Sequence, residues 1–366
     1  LALAFALRGG RESFAFAATF VALSTLPLLP RIRETFSERT RDALPFALLL
    51  VWCVVVLAGD PPFARHLYRF AQLAAYFVFL IAAATWDEKE HRRFLLGIVF
   101  IAATDLFVFL LGMLRDPSAT GYLIGNPTYS GLLWTSAFLA AITLGRDASQ
   151  HARLTGALFG LLLVFGLVLL RSRSSLIGLY AGLYFVLPRK RFVALTTVLA
   201  LAAAGAWAID SERVMDYLKI DAAQPHLWLG RLQIWKTALL AVADRPILGW
   251  GLGNFEAAYL QHELPVNDVL RFDRSSPFAH NDFLQLAAEA GLPALALFLW
   301  GLVRFWTRVR GRQESSLTWA RAVVALFAVS ALFNFTVLLP LCGLIAAAAL
   351  GMAFSAPPRE PRAGDR

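Results

Sequence analysis

"FLLGIVFIAATDLFVFLLGML" (residues 94–114) is an apolar run in which Asp105 is the single charged residue. Coiled as a helix it rises about 1.5 Å per residue, which matches a hydrocarbon core roughly 30 Å thick. The rest of the chain has the same character: 366 residues, 58% hydrophobic, 13% aromatic and 16% charged. That is too much apolar surface and too little charge for a soluble domain of this length. The runs are too continuous for the alternating pattern of a barrel, and a helix leaves no backbone amide unpaired in lipid. An all-α polytopic membrane protein follows. Spans are expected at 13–30, 43–59, 66–85, 94–114, 122–144, 153–170, 174–188, 191–209, 282–303, 317–335 and 337–355. The opening "LALAFALRGG" begins at Leu1 and is too short to cross; it is expected to be the remnant of a cut helix, giving about 11–12 in all.

The segments between spans alternate in charge. "RIRETFSERTR" (31–41), "DEKEHRR" (87–93), "GRDASQHAR" (145–153), "PRKR" (188–191), "RFWTRVRGR" (304–312) and the tail are strongly basic. "GDPPFARH" (59–66) and "RDPSATG" (115–121) hold one Arg each, and the turn around Asn334 has no Lys or Arg. The positive-inside rule puts the basic set in the cytoplasm. The net charge of +9 is therefore an orientation signal. No basic patch interleaves with exposed aromatics, so nucleic acid is not an expected partner. The organisation read from this is one integral membrane domain: N-terminal spans over 1–209, a large outer loop over 210–281, C-terminal spans over 282–355 and a cytoplasmic tail over 356–366.

Within the outer loop, "GRLQIWKTALLAVADRP" (230–246) has Leu232, Trp235, Leu239 and Val242 at helical spacing, and Pro246 ends the helix near Asp244 or Arg245. Where the loop meets the next span stands "HND" (280–282). Asp282 is expected to N-cap that span with Gln285 three residues on, which leaves His280 at the outer surface as a base available near neutral pH. Arg171 and Arg173 lie in a tight outer turn, on the side where Arg is disfavoured. They either snorkel to lipid phosphates or grip a phosphorylated ligand. Arg231 either stacks on Trp235 or joins them. "IGNPTYSG" (124–131), with Asn126, marks an irregular start to a span, as either an ordinary helix start or backbone lining a cavity. Asp105 and Glu289 fall inside spans; for Asp105 hydrogen bonding between helices competes with a proton relay, and Glu289, which faces away from His280, is expected to pair between helices.

Other patterns carry less. Cys53 and Cys342 sit alone in separate apolar runs and read as buried small hydrophobes. "GWGLGNF" (249–255) is glycine-rich but has neither a preceding strand nor a downstream Lys, so no nucleotide fingerprint applies. No paired carboxylates on the loop offer a divalent cation a site beside a diphosphate, so arginines would have to neutralise one.

"GNPTYSG", "SRSS", "GRLQIWKTALLAVADRPILGWGLGNF" and "HNDFLQLAAEAGLPALALF" follow one another in this order over roughly 120–300. In this the chain resembles the O-antigen ligase/polymerase (Wzy_C-like) superfamily, most of all its ligase branch. The resemblance implies a GT-C-like, metal-independent glycosyltransferase of the bacterial inner membrane, working on the periplasmic side without a cofactor. It implies an undecaprenyl-diphosphate-linked glycan as donor and lipid A–core oligosaccharide as acceptor, among membrane lipids. In polymerases the acceptor is another carrier-linked glycan. By the same resemblance His280 is the catalytic residue. Arg171, Arg173, Arg231, Asn126 and Asn281 are the expected diphosphate or substrate ligands. The alternative from a different class is a transporter of lipid-linked glycans, which predicts polar or broken helices at the midplane. Only Asp105 speaks for it.

Overall fold

The computed structural model describes residues 30–59, 64–115, 127–147, 149–170, 172–212, 214, 226–262 and 276–355. Arg171, Asn126, the C-terminal tail and nearly all of the expected span at 13–30 lie outside them. The described residues form twelve α-helices and no strand. In chain order these are α1 (Pro30–Gly59), α2 (Ala64–Ala83), α3 (Glu88–Arg115), α4 (Pro127–Leu144), α5 (Gln150–Leu169), α6 (Arg173–Val186) and α7 (Arg189–Ile209). After them come α8 (His226–Asp244), α9 (Phe255–Gln261), α10 (Asp282–Val309), α11 (Ser315–Ala331) and α12 (Pro340–Ser355). Five of the described helices contain windows long and apolar enough to cross a membrane: Asp42–Gly59, His66–Ala83, Glu88–Arg115, Arg189–Ile209 and Asp282–Val309. The protein is an all-α polytopic membrane protein.

Burial separates the central helices from the peripheral ones. α4 and α12 are apolar around their whole circumference and buried on nearly every face, as helices at the centre of a bundle must be. α7 is as apolar in sequence but has no buried residue. Among the described residues it joins the bundle through Phe192, whose ring lies 5.0 Å from Tyr180 and 5.4 Å from Tyr184.

Small residues let the inner helices approach closely, as packing in lipid favours. Gly178 and Gly182 of α6 face α11, where a Cβ would collide with Leu326 and Ser330 or crowd the Ala322 carbonyl. Gly343 and Gly351 of α12 admit Tyr76 and the Leu80 backbone of α2 in the same way. Polar pairs fix the register. Trp134 Nε1 of α4 donates to Asp105 Oδ2 of α3 at 2.9 Å, which supplies the partner between helices expected for that carboxylate. Arg304 Nη2 of α10 donates to Asp42 Oδ1 of α1 at 2.6 Å. Cys53 and Cys342 are both buried and free, as expected.

α10 is broken. Gly291 has φ 81° and ψ 172°, and Pro293 two residues on has no N–H to donate. Such a break releases carbonyls inside a membrane helix, where each must find another donor. The glycine-rich turn after α8 provides them. Trp250 N–H donates to the Ala288 carbonyl at 2.8 Å and Gly251 N–H to that of Glu289 at 2.9 Å. Trp52 Nε1 of α1 takes the Ala290 carbonyl at 2.8 Å, and Leu292 N–H turns to Pro246 O at 2.8 Å. The Gly253 amide completes the junction by donating to Glu289 Oε2 at 2.8 Å. Close approach is what the glycines are for: a Cβ on Gly249 would strike the Glu289 backbone, and one on Gly291 would strike the Ile247 carbonyl. Both also have positive φ.

Candidate active site

Four elements meet where α10 begins. Asn281 is the N-cap of α10: its side chain accepts from Phe283 N–H at 3.0 Å and Leu284 N–H at 3.1 Å. This corrects the expectation that Asp282 caps the helix. Asn281 adopts the extended backbone a cap needs, with φ −158° and ψ 109°, and Asp282 is already helical. Gln285 does reach back as a capping-box residue would, but its Oε1 accepts from Ala279 N–H at 2.6 Å. Its Nε2 donates to Glu289 Oε1 at 2.6 Å.

The Asp282 carboxylate is thereby available to another element. Its Oδ2 accepts from Thr336 N–H at 2.7 Å, Thr336 Oγ1 at 2.5 Å and Val337 N–H at 3.3 Å, pinning the turn between α11 and α12. α2 holds the same turn from its other side. Gln72 Nε2 donates to Leu338 O and Tyr76 OH to Val337 O, both at 2.7 Å. Arg69 of α2 donates to Gln72 Oε1 at 2.8 Å and lies within electrostatic reach of Asp282 and Glu289. Asn334, in the same turn, donates to Thr128 Oγ1 at the head of α4 at 3.1 Å and to Ser174 Oγ in the first turn of α6 at 3.4 Å.

His280 is seated on this turn. Its ring centroid lies 5.1 Å from that of Phe335, which in turn stacks on Phe278 at 4.5 Å. His280 has φ 51°, the one non-glycine described residue with positive φ. Residues other than glycine persist in that region where surrounding contacts over-determine them, and such positions cluster at functional sites. Its Nδ1 is buried with no hydrogen-bond partner among the described residues.

Two arginines complete the group. Arg173 is the first residue of α6, whose N-cap Ser172 makes no side-chain capping bond. Ser172 Oγ instead meets Ser175 Oγ at 2.8 Å. Arg231 stands on α8, which packs through Ala238, Ala241 and Val242 against Trp250, Phe255, Ala287 and Ala288. Val242 of the expected apolar stripe faces this core, as a helix lying on the bundle requires. Leu232 and Leu239 point outward at 47% and 56% exposure, because Ile234, Ala238, Ala241 and Val242 share the helical period and their small side chains allow closer contact. Trp235 lies 6.5 Å from Phe333. The helix does end at Asp244, two residues before Pro246.

The charges act on one another. Burial, and after it the charge of Arg231, pushes the His280 imidazole from its ordinary 6.5 down to about 4. Burial and then Arg173 make Arg231 a weaker base than usual, and no carboxylate among the described residues offsets this. The outcome is a neutral imidazole with an open ring nitrogen beside a pair of mutually repelling guanidinium groups. Such a grouping of guanidinium groups suits an anion. An apolar cavity of about 180 Å³ opens among α1, α2, α10, α11 and α12, with Asp282 and Thr336 at its polar end.

Of the expected site residues, His280, Arg231, Arg173 and Asn281 lie in this region; Arg171 and Asn126 are outside the described residues. Asn281 spends its side-chain oxygen on the cap. Sequence reasoning missed Arg69, Asn334, Phe335, Thr336 and the role of Asp282. One signal was available: Arg69, Gln72 and Tyr76 recur at three and four residues, a polar stripe along one face of an apolar helix.

Fold and site together define a polytopic membrane protein with a basic, histidine-bearing site at one end of its helix bundle. Residues 158–299 match the Wzy_C family model, described as O-antigen ligase, and over this segment the chain is similar to that family. The match runs from α5 into α10 and contains Arg173, Arg231, His280, Asp282 and the broken Gly291 junction. No curated protein matches the chain.

Proposed function

We propose that this protein is an O-antigen ligase, which transfers a glycan from an undecaprenyl-diphosphate carrier to lipid A–core oligosaccharide at the periplasmic face of the bacterial inner membrane. The observation that carries the reading is the Arg173–Arg231–His280 group, with no carboxylate among the described residues acting on Arg231 and with His280 kept neutral. An acceptor hydroxyl attacks the anomeric carbon while His280 takes its proton. The bond from that carbon to the diphosphate breaks, and its electron pair leaves with the diphosphate, whose growing charge Arg173 and Arg231 stabilise. A single displacement inverts the anomeric centre. No metal or cofactor has a part in this scheme. The cavity ending at Asp282 and Thr336 offers the carrier's isoprenoid tail an apolar path close to the site.

The test uses purified protein in buffer treated with chelator and a carrier-linked glycan, offered with and without lipid A–core and scored by gel shift of the acceptor. A shift that needs lipid A–core and disappears in His280→Asn bears the proposal out. Longer carrier-linked chains formed without lipid A–core make the protein a polymerase. A His280→Asn variant that transfers normally overturns the assignment of the base.

A further inference from the structure

At the opposite end of the bundle from His280, α4, α5 and α6 diverge around a cavity of about 920 Å³. α4 separates the two ends by 18 residues, about 27 Å of helix. Its lining is mixed: Phe138, Leu161 and Val164 are apolar, and Arg146 and Arg191 line the same cavity. Arg146 is anchored there by a 2.6 Å bond from Nη2 to the Val186 carbonyl. Arg321 of α11 lies behind it, within electrostatic reach of Arg146. Its Nη2 donates to Thr318 Oγ1 at 3.1 Å, while its Nε is buried with no partner among the described residues. The acidic group acting on Arg321 is Glu314, which also stands 3.9 Å from Arg312. Arg146, Arg191, Arg312 and Arg321 thus bring four guanidinium groups to this corner.

We propose that this cavity is a binding site for an anionic phospholipid, whose phosphodiester lies between Arg146 and Arg191 and whose first acyl methylenes lie along Leu161 and Val164. The volume fits a lipid headgroup with the start of its chains. A basic pocket between membrane helices, on the side where the sequence concentrates its Lys and Arg, is the surface that recognises anionic headgroups. The adjoining α7 is apolar and has no residue buried by the described residues, a surface suited to lipid. A soluble anion would use the arginines and have no need of the apolar wall. The site is independent of the transfer chemistry and makes no use of His280.

Native mass spectrometry of the delipidated protein, titrated with phosphatidylglycerol and with phosphatidylcholine of the same chains, tests this. The wild type is expected to retain phosphatidylglycerol at least ~5-fold more strongly, and Arg191→Gln, at an exposed position, to lose about that factor. Gly156 lines the cavity and has open space where its Cβ would be, so Gly156→Leu fills the site without touching a charge. It is expected to bring phosphatidylglycerol retention down to the phosphatidylcholine level, whereas Gly205→Leu, also in open space but on α7, is expected to have no effect. Equal retention of the two lipids by the wild type overturns the proposal, as does Gly156→Leu or Arg191→Gln retaining phosphatidylglycerol as the wild type does. Displacement of bound phosphatidylglycerol by millimolar inorganic phosphate alone makes this a free-phosphate site and removes the lipid from it.

Discussion

The acid limbs of the pH–rate profiles should separate in a defined direction when donor binds. In the donor-free protein His280 sits at about 4, so the acid limb of kcat/KM, which reports the free enzyme, is expected near that pH. The limb of kcat reports the loaded enzyme. A diphosphate between Arg231 and His280 opposes the charge that holds the imidazole down. At an effective dielectric constant of about 20, one negative charge at roughly 7 Å favours the imidazolium by ~2 kcal/mol, more than one pH unit. The kcat limb is therefore expected at least one pH unit above the kcat/KM limb. Arg231→Gln supplies the internal control. Burial is the larger cause of the lowered value and persists in the variant, so the kcat/KM limb should rise by less than half of the interval between about 4 and 6.5. The assay is initial-rate transfer to acceptor across pH 3.5–8, with tryptophan fluorescence confirming that the protein stays folded at each point. A kcat limb at or below the kcat/KM limb refutes the reasoning, and so does an Arg231→Gln limb that does not move.

The same histidine gives stability a pH dependence. It titrates near 6.5 when unfolded and at about 4 when folded, so the unfolded chain binds more protons between these values and stability falls as pH drops through that window, levelling off below it. Thermal unfolding in detergent should show this slope, and His280→Asn, which tolerates the same positive φ, should flatten it. Gly291→Ala is expected to lower the apparent melting temperature sharply or abolish folded protein, since its Cβ would meet the Ile247 carbonyl at a φ of 81°; Gly97→Ala, in open space, should melt as the wild type does. Trp52→Phe leaves the Ala290 carbonyl without its donor and is expected to cost about 1–2 kcal/mol, read as a lowered midpoint in denaturant. Asp282→Ala should release the Thr336–Val337 turn under Phe335 and slow kcat with little change in donor affinity, whereas Arg173→Gln should weaken donor affinity.

The helices were legible because lipid imposes one rule on every backbone amide, so length and hydropathy alone find "FLLGIVFIAATDLFVFLLGML". The proposed site residues His280 and Arg173 stand out in the sequence for a related reason: each is a polar residue beside an apolar run, while Arg231 stands out by its place on the loop helix. The partners that hold them do not. Asp282 and Thr336 are separated by 54 residues, and their bond depends on how α10 approaches α12, which no local pattern specifies. The cap was misread because Asn and Asp are equally good N-caps, and only the backbone angles of residues 281 and 282 choose between them. "GWGLGNF" excludes a nucleotide site but does not announce its partner, since the partner is main chain and leaves no side-chain signature. On α8 the spacing marks an apolar stripe that includes Val242, but it does not show that Ala238 and Ala241 join Val242 in the tight contact.

The broken helix explains why the histidine and the outer loop belong to one device. α10 carries His280 just ahead of its first turn and the break at Gly291 about two turns later, and the backbone released there is claimed by the turn that ends α8. α8 in turn carries Arg231. Neither the arginine nor the histidine can shift far relative to the other without uncovering carbonyls within the membrane helix, each at a cost of about 1–3 kcal/mol. The proposed chemistry needs that rigidity, because a base at about 4 is weak until a diphosphate arrives beside it. Donor must therefore bind before the histidine becomes effective. Phe335 lies against the imidazole and Phe278 stacks on Phe335, and in the proposed scheme this apolar wall limits water near the base until the acceptor comes, so that order of binding serves transfer over hydrolysis.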